Sequence, residues 1–438
     1  MSILQTEYPF LYRIVQNVYP IGLEVYKEID GAHDINWTKE FELFYNNQPN
    51  SKPYVKRLFL KKSGLSAKSS ENRMGFVHIR PLTDGSEVSE FYIKPPDNLK
   101  PNNRAYIKCL DLYDEYSQKV TCTPYIMPDA IFGMCIHASV WICLKILHRN
   151  RMVEESLTIP NISILATGRP FTDKQGLRFV QTARILRMCK TQAFYINSSE
   201  ANLTDNQILM DLYAYVESGL PVILGVDIAD LNWWNTQRHG YHSIVAIGHT
   251  MVNNSVNGFI FHDESRLPYQ VLNRTQLLNA WHTTRNRTIR ELLVAVPPQV
   301  TLAFHIVYQQ FSRFINILRT RRYINLNITE IAIQPILMSS QQLIIHLLRT
   351  GNTAIIPSIY EVLSYQIENP PYFWVIFIHA SDSSRENLED AIGYFIRDAT
   401  QNTDLRIFFQ KETKTSIYQI KNELYSIKIG HKRKRHLT

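Results

Sequence analysis

The sequence predicts an α+β protein in three parts. A mixed, β-rich N-terminal region covers residues 1–120, a central domain covers 121–298, and a C-terminal α/β module with a basic tail covers 299–438. Three observations carry this. From Met134 to Leu147 the only clearly polar residues are His137, Ser139 and Lys145, and a helix apolar nearly all round belongs at the centre of a domain. The segments that follow read as helices and then mostly sequential strands, an α+β order rather than alternating βαβ. Beyond residue 299 helices and strands alternate, which suggests a small α/β module. The central domain is therefore predicted as the apolar helix packed on an antiparallel sheet.

Bulk properties fit this division. A chain of 438 residues is too long for one ordinary domain. With 45% hydrophobic and 20% charged residues it is globular in composition. The net charge is +8, and Lys432, Arg433, Lys434 and Arg435 in the tail supply half of it. The tail reads as a solvated terminus. No nucleic-acid motif accompanies it, so no nucleic-acid partner is expected. The five cysteines form no CxxC pair, which argues against structural zinc or a disulfide framework and for a reducing, cytoplasmic setting. The first residues lack a signal-peptide pattern, and no apolar run is long enough for a membrane span. No membrane contact is expected.

In chain order, Glu40 to Tyr45 is a plausible short element and 46–72 a loop. Met74 to Ile79, Glu90 to Ile93 and Ala105 to Leu112 are strand-like runs bounded by turn residues. In the central domain the Cys135 helix comes first. A helix over Thr172 to Cys189, with Thr172 as a cap, comes after a loop. Then come strand Ala193 to Ile196, helix Thr204 to Glu217 capped by Thr204 and ended by Gly219, and strand Pro221 to Val226. Two strands, a helix over Thr275 to Trp281 and strand Glu291 to Val296 complete it. The C-terminal module reads as helix Ala303 to Arg319, strand Ile328 to Ile336, helices Gln341 to Leu348 and Tyr360 to Ile367, strand Phe373 to His379, helix Arg385 to Thr400 and strand Leu405 to Phe409. It has no glycine-rich phosphate loop, so it reads as an interaction module with a protein partner rather than a second enzyme.

Chemistry concentrates in two stretches. Cys135 follows Gly133 at the start of the apolar helix, where free amides and the helix dipole favour a thiolate. The stretch His239 to Asp263 reads as a hairpin. Ser243 to Ile247 runs out, 253–258 turns, and Phe259 to His262 returns. Folding it about its middle sets His242 opposite Asp263 at the open end, on one face of the sheet. His262 then points to the other face, His249 lies in the turn, and His239 comes too early. A carboxylate beside an imidazole fixes its tautomer and leaves the second ring nitrogen for a nucleophile. Facing Cys135, the pair completes a Cys-His-Asp triad.

This ordered pattern resembles the papain-like cysteine peptidase superfamily, and looks closest to stand-alone relatives of the bacteriocin-leader (double-glycine) peptidases. The similarity covers residues 121–298. Gly219 to Leu224 resembles the strand before the histidine, Gly240 to Gly248 the histidine strand, and Phe259 to Asp263 the aspartate strand. The resemblance implies Cys135 as nucleophile, His242 as base and Asp263 as its orienting carboxylate, with no cofactor and no metal. In the family a glutamine six residues before the cysteine helps bind the oxyanion. Here that position is Asp129, which cannot donate a hydrogen bond unless protonated. The Cys135 amide is the other expected donor, and Trp233 and Trp234 are expected to line a substrate groove. The implied activity is a cysteine peptidase acting on a protein or peptide. An amidase or transglutaminase-like acyl transferase on the same fold and an inactive binding protein are the alternatives, and Asp129 favours the last.

Overall fold

The computed structural model describes residues 9–19, 23–30, 56–81, 87–99, 105–115, 118–127, 135–154, 157–169, 176–197, 200–227, 241–252, 255–264, 267–281, 291–321, 331–349, 372–380, 388–400, 406–410, 415–420, 423–428 and 435–437. It is a mixed helix and sheet protein, and every strand pairing with a described register is antiparallel. In order the elements are α1 (Pro9–Val18), β1 (Leu23–Asp30), β2 (Lys56–Lys62), β3 (Arg73–Pro81), β4 (Glu87–Ile93), β5 (Ala105–Ile107), β6 (Asp111–Glu115), β7 (Gln118–Cys122) and β8 (Tyr125–Met127). Then come α2 (Cys135–Arg149), α3 (Ile159–Thr167), α4 (Phe179–Met188), β9 (Gln192–Asn197), α5 (Asp205–Glu217), β10 (Val222–Asp227), β11 (Tyr241–Val252), β12 (Ser255–Asp263), β13 (Leu267–Asn273), α6 (Arg274–Trp281) and β14 (Glu291–Val296). The rest are α7 (Phe304–Thr320), β15 (Ile331–Ser339), α8 (Ser340–Arg349), β16 (Tyr372–Ala380), β17 (Gly393–Asp398), β18 (Arg406–Gln410), β19 (Thr415–Ile420), β20 (Glu423–Lys428) and β21 (Arg435–Leu437).

The chain divides into two compact units, which differ from the three sequence segments. One comprises Met1–Asn202, Gly219–Thr250 and Asn257–Ala295, and the other Leu203–Ser218, Met251–Val256 and Val296–Thr438. The boundary expected at residue 120 does not appear in this division. Strand β8 joins β1 to β4 in the sheet β1-β2-β3-β4-β8, and β5 pairs with β11 in the sheet β13-β12-β11-β10-β14-β9. Strand pairing thus ties residues on both sides of 120 into the same sheets.

In the first unit α2 packs against α3, α4, β8 and β10. It is buried from Ile136 to Leu147 apart from Lys145, whose ammonium lies 5.2 Å from the Trp141 ring one turn back. His148 and Arg149 in its last turn suit the helix dipole. Helix α3 falls in a stretch expected to be loop, although its signals are in the sequence. Thr158 Oγ1 accepts from the Asn161 amide, Pro160 sits in the first turn, and Gly168 closes the helix at φ 76°. Helix α4 begins at Phe179 with Arg178 in the cap position, not at Thr172, which lies outside the described residues. The expected loop over 46–72 contains β2, whose Leu58, Phe59 and Leu60 are buried between β1 and β3. The expected run from 105 to 112 splits into β5 and β6. Glu40 to Tyr45 lies outside the described residues.

The hairpin β11–β12 is longer than predicted. Asn257 and Gly258 stand in β12 rather than in a turn, and His249 stands in β11, paired with Tyr106 of β5. Gly258 is needed there for closeness, since a Cβ would meet the Leu272 carbonyl oxygen of β13 at 2.5 Å. A turn residue by composition is a strand residue by packing.

The second unit is built on an antiparallel meander in strict chain order, β15 to β21, so the α/β module expected there is corrected. Strand β16 is buried on both sides. Phe373, Val375 and Phe377 join Leu343 and Leu347 of α8 in one core. Trp374 on the other face lies 5.5 Å from Tyr215 of α5 and 5.0 Å from Phe304 of α7, and its indole N–H donates to the Leu302 carbonyl. The helix expected over Arg385 to Thr400 is instead a three-residue 3-10 turn, Leu388–Asp390, followed by β17. Pairing on both edges, with β16 and β18, overrides its helical composition. The expected helix over 360–367 lies outside the described residues. Arg435 of the basic tail belongs to β21, which pairs with β20.

Candidate active site

Three elements of the first unit converge on one point. Cys135 is the first residue of α2 and is partly exposed, whereas Ile136 to Leu144 behind it are buried. Residues four apart share a helix face, and Ser139, one turn on from Cys135, lies 3.0 Å from Ser243 Oγ in β11. That buried hydroxyl pair pins the start of the helix beside the start of the strand. His242 is the residue before Ser243, opposite Val226 of β10.

The third element is the end of β12. Its pairing with β13 is irregular between Phe261 and Asp263, and such a bulge re-aims the residues after it. His262 anchors the irregularity. Its Nε2 is 2.7 Å from Thr123 Oγ1, its Nδ1 accepts from the Tyr269 amide at 3.2 Å, and both Tyr125 and Tyr269 pack on the ring. The Tyr125 hydroxyl donates to the Asp263 carbonyl at 2.8 Å. With backbone and neighbour fixed, the Asp263 carboxylate meets His242. Nε2 to Oδ1 is 2.9 Å, and both side chains are buried.

The sulfur of Cys135 lies within 4.8 Å of the same imidazole. With Nε2–H given to Asp263, the lone pair open to a thiol proton is that of Nδ1. A second carboxylate also reaches the ring. Glu264 is buried, its Oε2 is 3.7 Å from His242 Nε2, and Cys135, His242 and Glu264 bring one donor atom each within 4.8 Å of the others.

Electrostatics separate this histidine from its neighbours. Burial pulls the His242 imidazole down, but the charges of Glu264 and Asp263, the hydrogen bond the ring donates to Asp263 and the nearby Cys135 sulfur outweigh it and hold the ring well above its ordinary value. His262 and His137, buried without a carboxylate partner of that kind, are pushed down to about 3 and about 4 by desolvation. All five cysteines are free. Burial pushes the thiols of Cys109, Cys122 and Cys143 up, and that of half-buried Cys189 up to about 11. Such thiols are poor nucleophiles at neutral pH.

Of the residues singled out from sequence, the structure brings together Cys135, His242 and Asp263. Asp129, Trp233, Trp234 and His239 lie outside the described residues. His249 is not in a turn but stacked on Tyr106 within the sheet, at 5.3 Å between ring centroids. Glu264 is a site residue that the sequence pattern does not single out. Its signal is slight, a carboxylate directly after the hairpin aspartate, and its approach depends on the irregular end of β12. No protein-family model matches the chain, and no similar curated protein is found for it.

Proposed function

We propose that this chain is a thiol hydrolase of the papain-like kind, a cysteine peptidase that cleaves an amide bond in a protein or peptide through a thioacyl intermediate. One observation carries the reading: a partly exposed cysteine at a helix start has its sulfur within 4.8 Å of a buried imidazole that a carboxylate holds at 2.9 Å. The element order supports the same kinship, with a cysteine helix ahead of a histidine strand and an aspartate at the end of the returning strand.

In this reading Nδ1 of His242 takes the Cys135 proton, and the thiolate attacks the substrate carbonyl carbon. The backbone amide of Cys135, which has no intrahelical acceptor at the first helical position, donates to the oxyanion. His242, now imidazolium, returns the proton to the leaving amine as the C–N bond breaks. Water, deprotonated by His242, then releases the acid and regenerates the thiol. Asp263 holds the ring and stabilises its charged form. The five free cysteines favour a reducing, cytoplasmic setting, and among the described residues no helix is long and apolar enough to cross a membrane.

The test is cleavage of a peptide library by the full chain, with Cys135→Ser and His242→Ala alongside. Products seen with the wild type and lost in both variants support a peptidase. Acyl transfer to added amines without cleavage favours the transferase reading on the same triad. No acyl-enzyme and no product with any substrate leaves only a binding protein.

A further inference from the structure

The sequence predicts no metal, and residues 135, 242 and 264 are too far apart in the chain to read as a ligand motif. The fold nevertheless gathers a thiol, an imidazole and a carboxylate whose donor atoms all lie within 4.8 Å of one another. Tetrahedral zinc takes sulfur at about 2.3 Å and nitrogen or oxygen at about 2.0–2.2 Å, so its ligand atoms stand roughly 3.3–3.6 Å apart. From within 4.8 Å of one another, the donor atoms need to close by up to about an ångström.

We propose that Cys135, His242 and Glu264 bind a zinc ion that reversibly masks the thiol. Glu264 is the residue that makes this more than a Cys–His pair, since acyl transfer by the triad assigns it no proton and no bond. The donor set selects the ion. One soft thiolate with an imidazole and one carboxylate suits zinc, and is a poor match for magnesium or calcium, which take oxygen ligands. Asp263 on the ring is the carboxylate partner that metal-ligating histidines ordinarily carry, fixing the tautomer. Cys135 is the partly exposed member of the three, whereas His242 and Glu264 are buried. Entry and a fourth, water-filled position therefore lie on its side. The Cys135–His242 pair holds one shared proton. Zinc takes the sulfur and a ring-nitrogen lone pair, and that proton leaves to solvent. The masking, but not the metal binding, rests on the thiol-hydrolase reading.

Cobalt(II) added to the metal-free full chain reads the site without turnover. One ion per chain is expected, with a sulfur-to-cobalt charge-transfer band and displacement by zinc. Cys135→Ser is expected to abolish the band, and Glu264→Gln to weaken binding by at least about tenfold while circular dichroism stays that of the folded chain. Zinc X-ray absorption on the unsubstituted protein needs no variant to fold, and is expected to show one sulfur and lighter donors. No stoichiometric binding, a band that survives in Cys135→Ser, undiminished affinity in a folded Glu264→Gln, or a zinc spectrum without sulfur each overturns the proposal. Zinc is also expected to slow alkylation of Cys135. A chain that binds cobalt through Cys135 yet has an ordinary thiol refutes the hydrolase reading alone. One with a fast thiol and no metal binding refutes the zinc site alone.

Discussion

Among the described residues two histidine–aspartate pairs, one in each unit, have a buried aspartate, and they differ in what surrounds them. His242 and Asp263 meet at 2.9 Å, and His305 and Asp211 at 2.8 Å. Both aspartates are fully buried. By the contact alone the two are equivalent. The first has a thiol on the imidazole and a second carboxylate beside it. The second stands in a unit that contains no cysteine at all. Its Asp211 is pushed up by desolvation, which the His305 contact only partly offsets. Its neighbours are Tyr215, Phe304 and Trp374, whose ring contacts make a core. A histidine–carboxylate contact is thus a structural device as readily as a catalytic one, and the nucleophile decides which.

The largest way to break this contrast is at the thiol. Cys135→Ala is expected to remove hydrolysis altogether in a cleavage assay. His242→Ala is expected to lower kcat/KM by about 10²–10⁴-fold, while His305→Ala leaves it unchanged. A comparable loss from His305→Ala would erase the difference between the pairs. Asp263→Asn keeps the shape but not the charge, and a loss on the order of 10⁴-fold in kcat is expected from a ring held in the wrong tautomer.

Acid titration of stability sharpens the contrast further. The unfolded chain takes protons on His137 and His262 from about pH 6.5 downward. The folded chain refuses them until about 4 and about 3. The unfolded state binds more protons in that window, so stability falls with falling pH, by about 1.4 kcal/mol per pH unit for each histidine. His242, held up rather than down, runs the other way: its contribution is present at low pH and is lost as pH rises through its folded value. Denaturant midpoints across that range, for the wild type and His262→Gln, check the sign. The smallest effect is expected at the second pair. His305→Ala leaves buried Asp211 without that partner and costs about 1–3 kcal/mol in urea unfolding.

Much of this was legible in the chain. Helix α2, the capped start of α5 at Thr204 and strand β14 follow from local periodicity and capping, and His242 beside Asp263 follows from hairpin symmetry. What was not legible depends on long-range packing. Gly258 reads as a turn residue but serves a close strand crossing, and the segment after Arg385 reads as helix but is claimed by two flanking strands. The approach of Glu264 follows from a bulge fixed by His262, Thr123 and Tyr269, residues up to 146 positions apart in sequence. Helix α3 was the opposite case, missed although Thr158, Pro160 and Gly168 spell its ends.

The most direct measurement is the alkylation rate of each cysteine by iodoacetamide at mildly acidic pH, with a chelator present, mapped by mass spectrometry in the wild type and in His242→Ala. Half-buried Cys189 serves as the internal reference. Cys135 is expected to react well ahead of the other four cysteines in the wild type, and to lose that lead in His242→Ala. A Cys135 that reacts no faster than Cys189, or that keeps its rate without His242, would contradict the assignment of a thiol–imidazole centre.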